Sequence, residues 1–279
     1  MSPPSPQICS LPRRALIAAA AASPWSALKA QTEGDGLAEA VAAVHRSAAN
    51  RARDPWRHPL ETLRFFGLKR EHAVIEVAPG AGWYTEILAP WLRDRGRLIA
   101  AHYARDDASE YRRRSRAVFD GFLAGRPDLY GKVVTVTMPE SPRFTDLPPA
   151  MTVDAIVTFR NAHNWLTDGH LDQTMRAFAS VLKPGGILGV VDHRAPAGAS
   201  LDWMTRSGYV SESFMESVAQ AAGFRLQARS EINANPRDDK YHPNGVWSLP
   251  PSFRGGAVDR ERYAASGESD RFSHRYVRV

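Results

Sequence analysis

The chain has 279 residues, 43% of them hydrophobic and 24% charged, which describes a foldable globular protein of one large domain or two small ones. A single cysteine excludes a disulfide framework within the chain and any multi-thiolate zinc or iron–sulfur site. The formal net charge is +6, and half of that excess sits in residues 1–30, which counts against a nucleic-acid-binding face on the remainder.

Residues 1–30 read as an address. Arg13-Arg14 precede a short apolar run over 15–22, and small residues follow as far as Ala30. That pattern predicts an export signal, and the paired arginines suggest the twin-arginine route and a periplasmic destination. The run is far shorter than the ~20 residues that span a bilayer, so no stable membrane insertion is expected. Cleavage after Ala22, Ala27 or Ala30 would remove Cys9 with the signal.

Beyond the signal, residues 36–51 have helical spacing and are predicted as one helix, with a second over 59–66. From residue 73 strands and helices alternate. Strands are predicted over 73–78, 97–102, 132–137, 153–159, 187–192, 224–232 and 271–279. Helices are predicted over 84–92, 109–123, 168–182 and 211–222, the third stopped by Lys183-Pro184-Gly185-Gly186. This alternation implies an α/β domain with a mainly parallel sheet and helices on both faces. The stretch 233–270 reads as a structured excursion with Tyr241, Trp247, Phe253 and Tyr263 as anchors. Arg112-Arg113-Arg114-Ser115-Arg116 reads as a solvated helix face.

The most informative segment is Glu76-Val77-Ala78-Pro79-Gly80-Ala81-Gly82, a strand ending in an acid and a glycine turn before a helix. Glycines there let the backbone approach a ligand closely. Trp83-Tyr84-Thr85 follow instead of a third glycine, which argues against a dinucleotide pyrophosphate, and no triphosphate-binding loop is present. Glu76 near the strand end needs a cation or hydrogen-bond donors.

This turn, with Val153-Asp154-Ala155-Ile156-Val157-Thr158-Phe159 and Leu182-Lys183-Pro184-Gly185-Gly186, resembles class I S-adenosylmethionine-dependent methyltransferases over residues ~70–230. More narrowly, Phe159-Arg160-Asn161-Ala162-His163-Asn164-Trp165, Val191-Asp192-His193-Arg194 and Gly267-Glu268-Ser269-Asp270-Arg271 resemble a bacterial branch of predicted methyltransferases. The resemblance implies a Rossmann-like sheet of seven strands, the last antiparallel, filling 31–279 after a helical extension over 36–66. It implies S-adenosylmethionine as cofactor, held by Glu76, Ala78, Gly80, Gly82, His102, Tyr103 and Arg160. Ala78 stands where the family usually has glycine, which is tolerable at negative φ. His102 stands where the family has an acid for the ribose hydroxyls, with Tyr103 or Asp106 as substitutes.

The loop after the fourth strand carries Asn161 to orient the acceptor or cofactor, His163 as a base, and Trp165 as a wall. Helix capping is the alternative role for His163. The expected function is methyl transfer to a small molecule. Two alternatives remain: a metal-assisted or general-base hydrolase built on a His102/His163/His193 crevice with Asp192, and a non-catalytic ligand-binding module. Arg160 and Arg194 suit a substrate or methionine carboxylate.

Overall fold

The computed structural model describes residues 1–2, 34–138, 143–144, 146–148 and 150–279. Residues 36–279 form one compact unit, which carries the fold. The expected export signal, from residue 3 on, lies outside the described residues.

Seven strands form one sheet: β1 (Ala73–Val77), β2 (Arg97–His102), β3 (Val134–Thr137), β4 (Val153–Phe159), β5 (Leu182–His193), β6 (Phe224–Ser230) and β7 (Arg271–Arg278). Their order is β3-β2-β1-β4-β5-β7-β6. Strands β1 to β5 pair in parallel, and β7 runs antiparallel to both β5 and β6. The sheet therefore matches the expected seven-stranded class I arrangement.

Helices cover both faces, so β1 is apolar on both sides. Ile75 and Val77 pack with Ile99, Met175 and Phe178, whereas Val74 packs with Leu63, Phe66, Ile87 and Leu88. Glu76 lies two residues from Val74 and shares its face by strand alternation.

Four local expectations are corrected. Residues 36–51 form two helices, α1 (Leu37–Ala42) and α2 (Ala48–Arg51), followed by α3 (Asp54–Arg57) and α4 (Pro59–Phe66). The break turns Arg46 inward. Its guanidinium is buried and donates to Val41 O and to both oxygens of Asp54, and Ser47 Oγ caps α2.

After α5 (Thr85–Leu92), α6 (Glu110–Gly125) and α7 (Pro127–Tyr130), the helix expected over 168–182 forms, but the loop expected before it holds a further helix. Here α8 (Ala162–Thr167) begins inside the expected loop and α9 (Leu171–Val181) follows. The cause is a distant carboxylate. The N–H of His163, one of the unpaired donors of the first turn of α8, donates to Asp192 at 3.0 Å.

On α6, Arg116 is buried rather than solvated, donating to Asp120 and to the Tyr103 carbonyl at 2.9 and 2.8 Å. Its neighbours Arg112 and Arg114 make outward ion pairs with Asp168 and Glu110.

After α10 (Leu201–Ser207) and α11 (Glu212–Ala221), the stretch 233–270 holds a 3₁₀ turn at Gly245–Ser248 and α12 (Arg260–Ser266). Buried Asp238 pins it, accepting from the Tyr209 hydroxyl and from the N–H groups of Lys240 and Asp270. Val246, Leu249 and Tyr263 are buried, but Tyr241, expected as an anchor, is exposed. No helix among the described residues is long and apolar enough to cross a membrane.

Candidate active site

Strands β2 and β3 lie on one side of β1, and β4 and its successors on the other, so the order reverses between β1 and β4. A crevice opens beyond the carboxyl ends of strands at such a point. The residues just past the two strands, Ala78 and Arg160, both have left-handed backbones, with φ of 50° and 64°. Each is fixed by a neighbouring strand: Ala78 N–H donates to Ala101 O at 2.8 Å, and Arg160 N–H to Val191 O at 2.7 Å. The condition under which alanine is easily tolerated there, a negative φ, is therefore not met. Ala78 adopts a conformation that suits glycine, at a strain of roughly 1–2 kcal/mol. Both residues line a cleft of about 840 Å³.

The two glycines of the turn differ. At Gly80, φ is +60° and a Cβ would meet nothing within 4 Å, and the residue lines the cleft. At Gly82, φ is +91° and a Cβ would lie 2.6 Å from the Phe122 ring. Gly80 leaves room for a ligand, whereas Gly82 lets α6 pack. Glu76 sits behind the turn and outside the cleft lining, accepting from the Thr85 hydroxyl at 2.7 Å. Burial pushes its carboxyl up to about 7, against the hydrogen bonds from Thr85.

His102 does not replace the ribose-binding acid. Its Nδ1 accepts from the Tyr103 N–H at 2.7 Å, so Nε2 carries the proton and donates to Gly80 O at 3.2 Å. Burial drives the imidazole down to about 4 and keeps it neutral. The ring thus splints β2 to the glycine turn. Tyr103 lines the cleft, with the Arg112 guanidinium over its ring, while Asp106 is exposed and apart from it. Among the described residues, Glu268 is the only acid in the lining.

His163 and His193 do meet, with ring centroids 4.9 Å apart, so the three-histidine crevice reduces to two histidines and Asp192. The fully buried Asp192 carboxylate accepts from His163 N–H, from His193 N–H at 2.8 Å, and from His163 Nδ1 at 2.9 Å. Because a carboxylate only accepts, Nδ1 bears the proton and Nε2 of His163 is the basic nitrogen. His193 Nδ1 lies 2.5 Å from Ser269 Oγ. Burial, then His163 and the guanidiniums of Arg160, Arg271 and Arg57, hold His193 well below its usual range. Those cations also oppose a metal ion between the two rings, although the ligand atoms lie within 4.8 Å of one another.

Asn161 Nδ2 donates to Val77 O, Thr158 Oγ1 and Phe159 O at 3.1–3.2 Å, tying β1 to β4. The residue lines the cleft. Trp165 does not wall the cleft: it is buried in the core, edge-on to Phe178. Trp83 and Trp247 line it instead, together with Arg53, Arg57 and Arg254. No local sequence signal marks these five as site residues. Arg194, a candidate carboxylate binder, pairs with Glu212 and Glu231 at 2.9 and 2.7 Å.

The strand order, the antiparallel β7 and the cleft at the switch point define a class I methyltransferase fold. Solved structures share it. A SAM-dependent methyltransferase from Aquifex aeolicus superposes with a TM-score of 0.53 at 19% identity, covering 82% of this chain and 93% of that one. A cyclopropane-fatty-acyl-phospholipid synthase-like protein from Lactobacillus casei gives 0.53 at 15% identity, covering 87% and 98%. The [4+2]-cyclase SpnF gives 0.50 at 18%, covering 79% and 78%, so the fold by itself does not fix the reaction. No protein-family model and no curated protein matches the chain.

Proposed function

We propose that the protein transfers a methyl group from S-adenosylmethionine to a small molecule in this cleft. The observation that carries the reading is Gly80. Its backbone lies open to the cleft at the switch point, which the left-handed Ala78 and Arg160 also line. When bound, the cofactor supplies a methyl carbon already activated by positive sulfur. Ala78, Gly80 and Tyr103 would hold it. Asn161 Nδ2 is committed to the backbone, which leaves the amide oxygen to accept from a ligand ammonium. Glu76, Gly82 and His102 shape the turn from behind.

The chain's own chemistry is positioning and proton removal. His163 Nε2 takes the proton from the acceptor heteroatom as that atom gains the methyl group, and Asp192 stabilises the resulting imidazolium. Trp83 and Trp247 narrow access for water.

Residues 1–30 are proposed as an export signal, with a mature start between Ser23 and Gln31 and a periplasmic destination. Such an address separates the protein from cytosolic cofactor, so terminus and ligand need to be read together. Native mass spectrometry of protein from its own host does so. A chain carrying bound S-adenosylmethionine or S-adenosylhomocysteine supports the methyl-transfer reading. A stoichiometric metal ion in its place contradicts it. A full-length chain confined to the cytoplasm contradicts the export reading.

A further inference from the structure

The charged side chains lining the cleft among the described residues are Arg53, Arg57, Arg160, Arg254 and Glu268. Four guanidiniums face one carboxylate, a surplus of three positive charges. Glu268 is already shared. It lies 2.6 Å from Arg53, 3.3 Å from Arg57 and 3.1 Å from Arg271 behind the wall. Three neighbouring cations hold it down at about 2, together with Arg160, against the upward pull of burial.

Arg160 forms no salt bridge among the described residues, and its Nε is buried without a hydrogen-bond partner. Buried guanidinium nitrogens normally find acceptors, and one left open at a ligand cleft marks a place for one. Arg57 is buried, with its guanidinium 4.7 Å from the centre of the Trp83 ring, so its fork is held in place before any ligand arrives. Burial and the neighbouring cations pull Arg57 to about 9 and Arg160 to about 10, against the opposing pull of the one shared carboxylate, Glu268.

S-adenosylmethionine has a net positive charge, so even with its carboxylate at one guanidinium the cleft would keep its positive surplus. The other ligand is the remaining source of negative charge. We propose that Arg57 and Arg160 form an oxyanion subsite for the methyl acceptor, which therefore carries a carboxylate or phosphate group. Guanidinium forks suit both groups bidentately. The proposal rests on the methyl-transfer reading only for the word acceptor.

The test is calorimetric titration of the full chain with inorganic phosphate and, separately, malonate, with and without saturating S-adenosylhomocysteine. At least one oxyanion should bind in both conditions, and which one binds identifies the acceptor's group. Arg160→Gln should weaken that binding by about tenfold or more while S-adenosylhomocysteine still binds. Absence of oxyanion binding overturns the proposal. Loss of S-adenosylhomocysteine binding in Arg160→Gln, with oxyanion binding kept, also overturns it by assigning the guanidinium to the cofactor. If Arg160→Gln fails to fold, Arg160→Lys, which keeps the charge but loses the guanidinium fork, decides: weaker oxyanion binding supports the subsite, and unchanged binding contradicts it. If S-adenosylhomocysteine does not bind the unaltered chain, methyl transfer fails, and oxyanion binding to the free protein still decides the subsite.

Discussion

The Asp192 carboxylate holds His163 twice, through the backbone N–H at 3.0 Å and through the imidazole Nδ1 at 2.9 Å. One group at the end of β5 thus starts α8 and fixes which imidazole nitrogen is basic. Because the backbone bond does not depend on the side chain, His163→Ala separates the two roles. Turnover per folded molecule should fall by ~10²–10⁴ with cofactor affinity unchanged. Asp192→Asn should lose both turnover and thermal stability, since the buried carboxylate accepts three N–H bonds. Product formation and a melting curve on each variant check this. Normal turnover by His163→Ala would make the histidine structural.

The two glycines of the turn should respond differently to alanine. Gly80→Ala places a methyl in open cleft space at a strained backbone, so it should fold with a loss of about 1–2 kcal/mol and bind S-adenosylmethionine more weakly. Gly82→Ala drives Cβ to 2.6 Å from Phe122 and should melt lower than Gly80→Ala. Equal melting losses with unchanged affinity would contradict the division.

Glu76 makes stability depend on pH with a defined sign. Its carboxyl titrates near 4.5 when free and at about 7 when folded. Between those values the folded state keeps a proton that the unfolded state has released, so stability falls as pH rises through the window and then levels. Glu76→Gln removes this slope. The stability difference between pH 5 and pH 8, relative to the unaltered chain, should shrink by ~2–3 kcal/mol in denaturant unfolding. An unchanged difference would show that the carboxyl is ionised throughout.

The two histidines near the turn and the cleft should carry opposite tautomers. Nitrogen NMR should find the proton of His102 on Nε2 and that of His163 on Nδ1. His102 should stay neutral down to about pH 4. A His102 that protonates near pH 6.5 would reopen it as a ligand-binding group.

The strands were legible because buried parallel strands are written as short apolar runs between turn residues, as in residues 73–78. The glycine turn and the cleft-lining position of His163 were legible for local reasons too. What escaped depends on partners far along the chain. Nothing near His163 shows that Asp192, 29 residues on, begins a helix there. Nothing near position 102 shows that both imidazole nitrogens are spent on backbone. The cationic wall was hidden for the same reason, because Glu268 lies 215 residues from Arg53 and meets it only after 233–270 has folded back. Ala78 shows a different limit: a residue's identity does not reveal that its neighbours force a left-handed backbone on it.

Calorimetric titration with S-adenosylmethionine decides whether this cleft is a cofactor site. One molecule should bind per chain, with binding weakened in Gly80→Ala and retained in His163→Ala. No heat of binding in the folded, unaltered chain would contradict a cofactor site there.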